Sequence, residues 1–232
     1  MNDSIPKEVE LIVAEEVPVR LLAIETAVVL CLAYLPFMTN AVLWINVPWP
    51  DDFSREMISH AVSSLQVLAP LLYIMWRSSG GWGEFGITKP EPLMDGVLAL
   101  VLFSLAWLTT IFLATALAAP AGAGEDVIAD RPSGLVEHVL LVVAMIANSL
   151  SEEFFMRAYL ITRLRQLGAH WITAVVVSAL LFASYHIYQG YSAITPVAVN
   201  GLIYGATFAL TRRVWPLVAS HTLYNLLIFT HL

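Results

Sequence analysis

The chain has 232 residues, of which 59% are hydrophobic and 12% charged, and its mean hydropathy is +0.76. A soluble domain carries about 25% charged residues, so the composition excludes an ordinary soluble globule and predicts an all-α, polytopic transmembrane helical bundle. The net charge of -7 and the lack of a basic stripe exclude nucleic acid as a partner.

Residues 1–20 form an acidic N-terminal tail without the basic start and short apolar core of a cleaved signal peptide. The tail is expected to stay in the cytoplasm, ahead of a single bundle over 21–232. A helical crossing takes about 20 apolar residues. Seven stretches qualify: roughly 21–45, 57–76, 93–119, 135–161, 171–189, 192–210 and 214–231. Pro36 predicts a bend in the first of them. Cys31, the single cysteine, reads as a small core residue with no disulfide partner. The Gly- and Pro-rich loop 78–92 is expected to lie along the membrane interface. The polar, acidic loop 120–134 is expected to be flexible.

Basic residues set the orientation. With the N-terminus inside and seven alternating spans, Lys7, Arg20, Arg77, Lys89, Arg157, Arg163, Arg165, Arg212 and Arg213 fall on the inner side. Only Arg55 and Arg131, of 11 basic residues, fall outside. The reading is therefore N-inside and C-outside.

Chemistry concentrates in three places. The fourth span carries Glu152 and Glu153 amid apolar residues, followed by Arg157. A carboxylate deep in hydrocarbon costs about 2.5–3.5 kcal/mol on insertion scales and is functional by default. Glu153 and Arg157 are four apart in the favourable order for a helical ion pair. Glu152 points about 100° away around the helix, on the face of Asn148. The fifth span ends in Phe182-Ala-Ser-Tyr-His186, and the seventh holds His221-Thr-Leu-Tyr-Asn225. His221 and Asn225 share one helical face. A lone histidine in such a span is more often a helix–helix hydrogen bond than a catalyst; two of them, with an asparagine and a double glutamate, favour a site. Gly201 and Gly205 read as a close-packing pair. Asn200 and Tyr204 are placed at the polar cavity.

Glu152-Glu153-x-x-x-Arg157, then Phe182-x-x-x-His186, then His221-x-x-x-Asn225 resembles the ordered signature of the CPBP (CAAX protease and bacteriocin-processing, or Abi) family, which includes the type II CAAX prenyl endopeptidases. The resemblance covers about 135–231. It implies an intramembrane glutamate-type endopeptidase. By that similarity, Glu152 and His186 activate a water, His221 and Asn225 bind the oxyanion, and Glu153 and Arg157 support the site. A desolvated glutamate is a better general base near neutral pH. The implied partners are the bilayer and a membrane-anchored protein or peptide substrate: a prenylated protein, a C-terminal sorting tail or a bacteriocin. The short chain fits a bacterial or archaeal cell membrane protein.

No cofactor is expected. Zinc is the alternative, since Glu and His are zinc ligands, but the HExxH motif and any Cys/His cluster are missing from the sequence. Two other functions remain open: a non-catalytic immunity or scaffold member of the same family, and a small proton-coupled transporter. One tension is geometric. Along their spans, His186 and His221 sit roughly 22 and 12 Å from the inner ends at 1.5 Å per residue, yet they must meet at one depth. Tilt, or a fifth helix that starts below the bilayer surface, would reconcile them.

Overall fold

The computed structural model describes residues 18–44, 52–116, 131–189 and 191–231. Among them are helices and no strands. The first helix, α1 (residues 19–44), is built from Val19–Val29, a wide π turn at Leu30–Tyr34, and Leu35–Trp44. Then follow α2 (Phe53–Arg77), a single helical turn at Gly81–Glu84, and α3 (Pro92–Ala116). The long helix α4 (Gly134–Gln166) changes at Phe154–Ile161 from α to π winding and back. It is followed by α5 (Trp171–Ser184), α6 (Tyr191–Thr211) and α7 (Trp215–His231).

All seven predicted stretches are helical where they are described. Among the described residues five helices are long and apolar enough to cross a membrane: Val19–Thr39, Phe53–Arg77, Pro92–Ala116, Gly134–Gln166 and Ala193–Thr211. The other two are shorter, α5 with 14 residues and α7 with 17. At 1.5 Å per residue α5 spans about 21 Å, less than a hydrocarbon core of about 30 Å. The predicted tail and the loop 120–134 fall mostly outside the described residues.

The packing centre is α4. It touches α2 and α7, and its π segment touches α5 and α6 as well. All eight residues of Phe154–Ile161 are buried, the charged Arg157 among them. The wide turns open the backbone ladder, and Ser178 of α5 donates to the Met156 carbonyl at 2.7 Å. Helices α5 and α6 approach closely because of two glycines. A Cβ on Gly201 would meet the Ala179 Cα at 3.1 Å, and one on Gly205 would meet Val175 Cγ1 at 3.0 Å. The small-residue packing read from sequence is thus the observed one.

One expectation changes. Cys31 is exposed rather than in the core; the span's apolar residues gave no sign of which face packs. Pro36 does not break α1. It lacks an N–H and crowds the carbonyl four residues back, and the helix accommodates this with the π turn just before it. The loop 78–92 is pinned to the α6–α7 turn. The Gly86 carbonyl accepts from the Val214 amide at 3.1 Å, Trp215 Nε1 donates to the Thr88 carbonyl at 2.7 Å, and Arg213 grips Asp95 at 2.7 Å and Glu91 at 2.8 Å.

Candidate active site

The two glutamates sit where α4 passes from α to π winding. Glu153 is fully buried and Arg157 is 1% exposed. The Glu153 Oε1 atom lies 3.2 Å from Arg157 Nη1, an ion-pair distance. Its angle is poor, since Nη1 and Nε of Arg157 have no hydrogen-bond partner among the described residues. The guanidinium is covered instead by aromatic faces, 4.2 Å above the Phe182 ring and 5.7 Å from that of Tyr204. A desolvated cation gains from such faces. Phe182, the first residue of the second motif, therefore acts as a lid over the arginine.

The same Glu153 Oε1 lies 2.8 Å from His221 Nδ1. An ionised carboxylate only accepts, so Nδ1 carries the proton. The other ring nitrogen, Nε2, then faces Glu152 Oε2 at 3.6 Å. That distance is outside hydrogen bonding, and Oε2 has no other partner among the described residues. The second Glu152 oxygen takes a long 3.4 Å hydrogen bond from Asn148 Nδ2. Asn148 Oδ1 in turn accepts from Asn225 Nδ2 at 3.1 Å. Asn148 thus joins Glu152 to Asn225, Glu153 joins Arg157 to His221, and the two groups meet where His221 Nε2 faces Glu152 Oε2 at 3.6 Å.

His186 stands just past the end of α5 and is 8% exposed. Its Nδ1 meets the Phe182 carbonyl at 2.8 Å, which assigns the proton to Nδ1 and leaves the Nε2 lone pair free. No hydrogen bond joins it to Glu152 among the described residues. Phe182 lies between the two histidines, with ring centroids 4.6 Å from His186 and 6.1 Å from His221. The two histidines therefore meet across the Phe182 ring, although His186 follows the 14 residues of α5 and His221 lies in the second turn of α7.

Of the two cavity-lining residues read from sequence, one is elsewhere. Asn200 donates to Thr110 Oγ1 of α3 at 3.1 Å. Tyr204 is near the site: its ring is 6.1 Å from His221 and its hydroxyl meets Ser220 Oγ at 2.5 Å. Sequence reasoning had Asn148 on the Glu152 face but gave it no role, and overlooked Tyr185. The Tyr185 ring is 4.6 Å from that of His186. Its buried hydroxyl has no partner among the described residues. On the far side it stacks on Phe37 of α1 at 5.0 Å, and Tyr34 of α1 bonds Ser184 Oγ at 2.7 Å.

Residues 134–227 match the family model described as type II CAAX prenyl endopeptidase Rce1-like. Over that stretch the chain resembles an Rce1-like domain. All three motifs lie inside it, and it runs from the first residue of α4 to within a few residues of the end of α7. Comparison with curated proteins and with solved structures gives no match. The matched stretch is similar to a family of CAAX prenyl endopeptidases, and with five long apolar helices among the described residues the protein is an integral membrane protein. Helices α1 to α3 lie outside the match.

Among the described residues no group of three His, Cys, Asp or Glu side chains is arranged to hold a metal ion. In the Rce1-like domain, Glu153 is already engaged by Arg157 and His221.

Proposed function

We propose that the protein is an intramembrane endopeptidase that hydrolyses a peptide bond of a membrane-associated protein or peptide. The observation that carries this reading is the buried network joining Glu152, His221 and Asn225 inside an Rce1-like domain. In the reaction, Glu152 takes a proton from a water that also donates to His186 Nε2. The water oxygen bonds to the substrate carbonyl carbon, and the carbonyl oxygen becomes an oxyanion. His221, protonated on both ring nitrogens, donates to that oxygen through Nε2–H, and the second N–H of the Asn225 amide donates beside it. Glu152 then returns the proton to the amide nitrogen as the C–N bond breaks. Glu153 holds the Nδ1 proton of His221, and Arg157 balances the Glu153 charge. A membrane proteome compared between wild type and Glu152→Gln tests this reading: the substrate accumulates uncut only in the variant. Identical proteomes, with both proteins present in equal amount, would count against it.

The reading includes no metal. Cleavage by the purified protein is expected to survive thorough chelation. Loss with EDTA or phenanthroline, restored by added zinc, would make it a metalloprotease.

The orientation follows from charge. A reporter fused after Arg213 is expected to read cytoplasmic, and one within 120–134 external. The reverse pair of signals would overturn the N-inside assignment.

Asn225→Ala is expected to keep residual cleavage. One oxyanion donor is worth about 2.7–4 kcal/mol in known enzymes, so kcat falls by roughly 10²–10³ while the other donor remains. An unchanged kcat would remove Asn225 from the oxyanion site.

A further inference from the structure

A second polar cavity lies at the end of the bundle where α4 stops, α5 starts and α6 stops. Its volume is 630 Å³, within the range of about 300–1,000 Å³ typical of ligand sites. Its walls include Thr162, Arg165, Trp171, Leu210 and Arg212. Thr162 and Arg165 are one turn apart on α4 and so share a face. Both Nη atoms of Arg212 lie 3.3 Å from Thr162 Oγ1, which brings the two guanidinium groups to the same spot.

Neither arginine has a carboxylate partner at ion-pair distance among the described residues. Arg165 Nη1 donates to the Ala169 carbonyl at 2.9 Å, and Arg212 Nη2 to the Glu84 carbonyl. The nearby Glu84 carboxylate is turned to Ser78 and Gln166, with Arg163 at 3.8 Å. Burial lowers the Arg212 guanidinium from its ordinary value, Glu84 raises it, and the like charge of Arg165 lowers it again. Arg212 also occupies a left-handed backbone conformation, φ +54°, at the position after α6 where glycine or asparagine is usual. A large cation is held there in spite of its backbone.

The apolar part of the wall opens outward. Leu210 is 75% exposed and Trp171 37%, both at helix ends, where tryptophan meets the headgroup level of a bilayer. Basic pockets between helix ends are suited to phospholipid headgroups. We propose that Arg165 and Arg212 form a binding site for a phosphate group, carried by an anionic phospholipid whose acyl chain lies over Trp171 and Leu210.

The test uses the full-length protein in neutral detergent, stripped of lipid. It is titrated with dihexanoyl-phosphatidylglycerol, with dihexanoyl-phosphatidylcholine and with inorganic phosphate, and adducts are counted by native mass spectrometry. The phosphatidylglycerol is expected to bind and raise the melting temperature. Arg165→Gln should weaken it roughly fivefold, the equivalent of about 1 kcal/mol per basic residue at a lipid surface. Arg77→Gln, at another helix end outside the cavity, should leave it unchanged. Arg212→Gln should weaken it further, but it also loses the bond to Thr162, so Arg165→Gln carries the decision. Equal binding of the choline lipid, an unweakened Arg165→Gln, or an equal loss in Arg77→Gln would each overturn the proposal. Inorganic phosphate that binds as tightly as the lipid, with no effect of Trp171→Ala on either, would keep the phosphate assignment and remove the lipid.

Discussion

Glu152→Gln is expected to give a folded, purifiable protein with almost no cleavage. The substitution keeps size and polarity but removes the base. Proton transfer by a positioned side chain typically contributes about 10²–10⁴ in rate. Folding should not suffer. Glu152 accepts one long bond, 3.4 Å from Asn148, and its other oxygen is unpartnered among the described residues. The melting temperature should therefore match or exceed that of wild type. Cleavage and melting are measured on the same preparation. Wild-type activity in Glu152→Gln would sink the mechanism.

Arg157→Ala should fail for a different reason. It strips Glu153 of its counter-ion in a fully buried position. Breaking a buried pair on one side typically costs about 3–5 kcal/mol, because the remaining charge is uncompensated. It also empties the space over Phe182, where the guanidinium sits 4.2 Å from the ring. Low expression and a lowered melting temperature are expected. Adding Glu153→Gln should recover part of the stability without restoring cleavage, because neighbouring sites of one network are not additive. A protein that melts like wild type would show that Arg157 does not neutralise Glu153.

The helical class, the Glu153–Arg157 pair and the convergence of α4, α5 and α7 were legible in the sequence. Each depends on a local rule: apolar length, a four-residue spacing, or the high cost of a buried charge. What escaped depends on tertiary contact. That α5 would stop at Ser184 is not visible in a run, Ser184-Tyr185-His186-Ile187, that holds no Gly or Pro. Asn148 became a bridge only because Asn225 of α7 reaches it. Asn200 was placed in the cavity by polarity alone, and α3 claimed it through Thr110. Cys31 was misplaced because every residue around it is apolar, whether it faces protein or lipid.

The wide winding of Phe154–Ile161 has a consequence for inheritance. A π turn takes up one residue more than an α turn, about 100° of helical phase. Upstream of it, α4 presents Glu152 and Glu153 to α7. Downstream it presents Tyr159 and Arg163 to Glu25 of α1, at 3.0 and 2.9 Å. The two groups keep their bearings only while that extra residue is present. Loss of a single codon anywhere in the segment would leave a helix of acceptable length and composition, with one of its two ends facing the wrong neighbour. Most point substitutions on the lipid face would be milder than that one deletion.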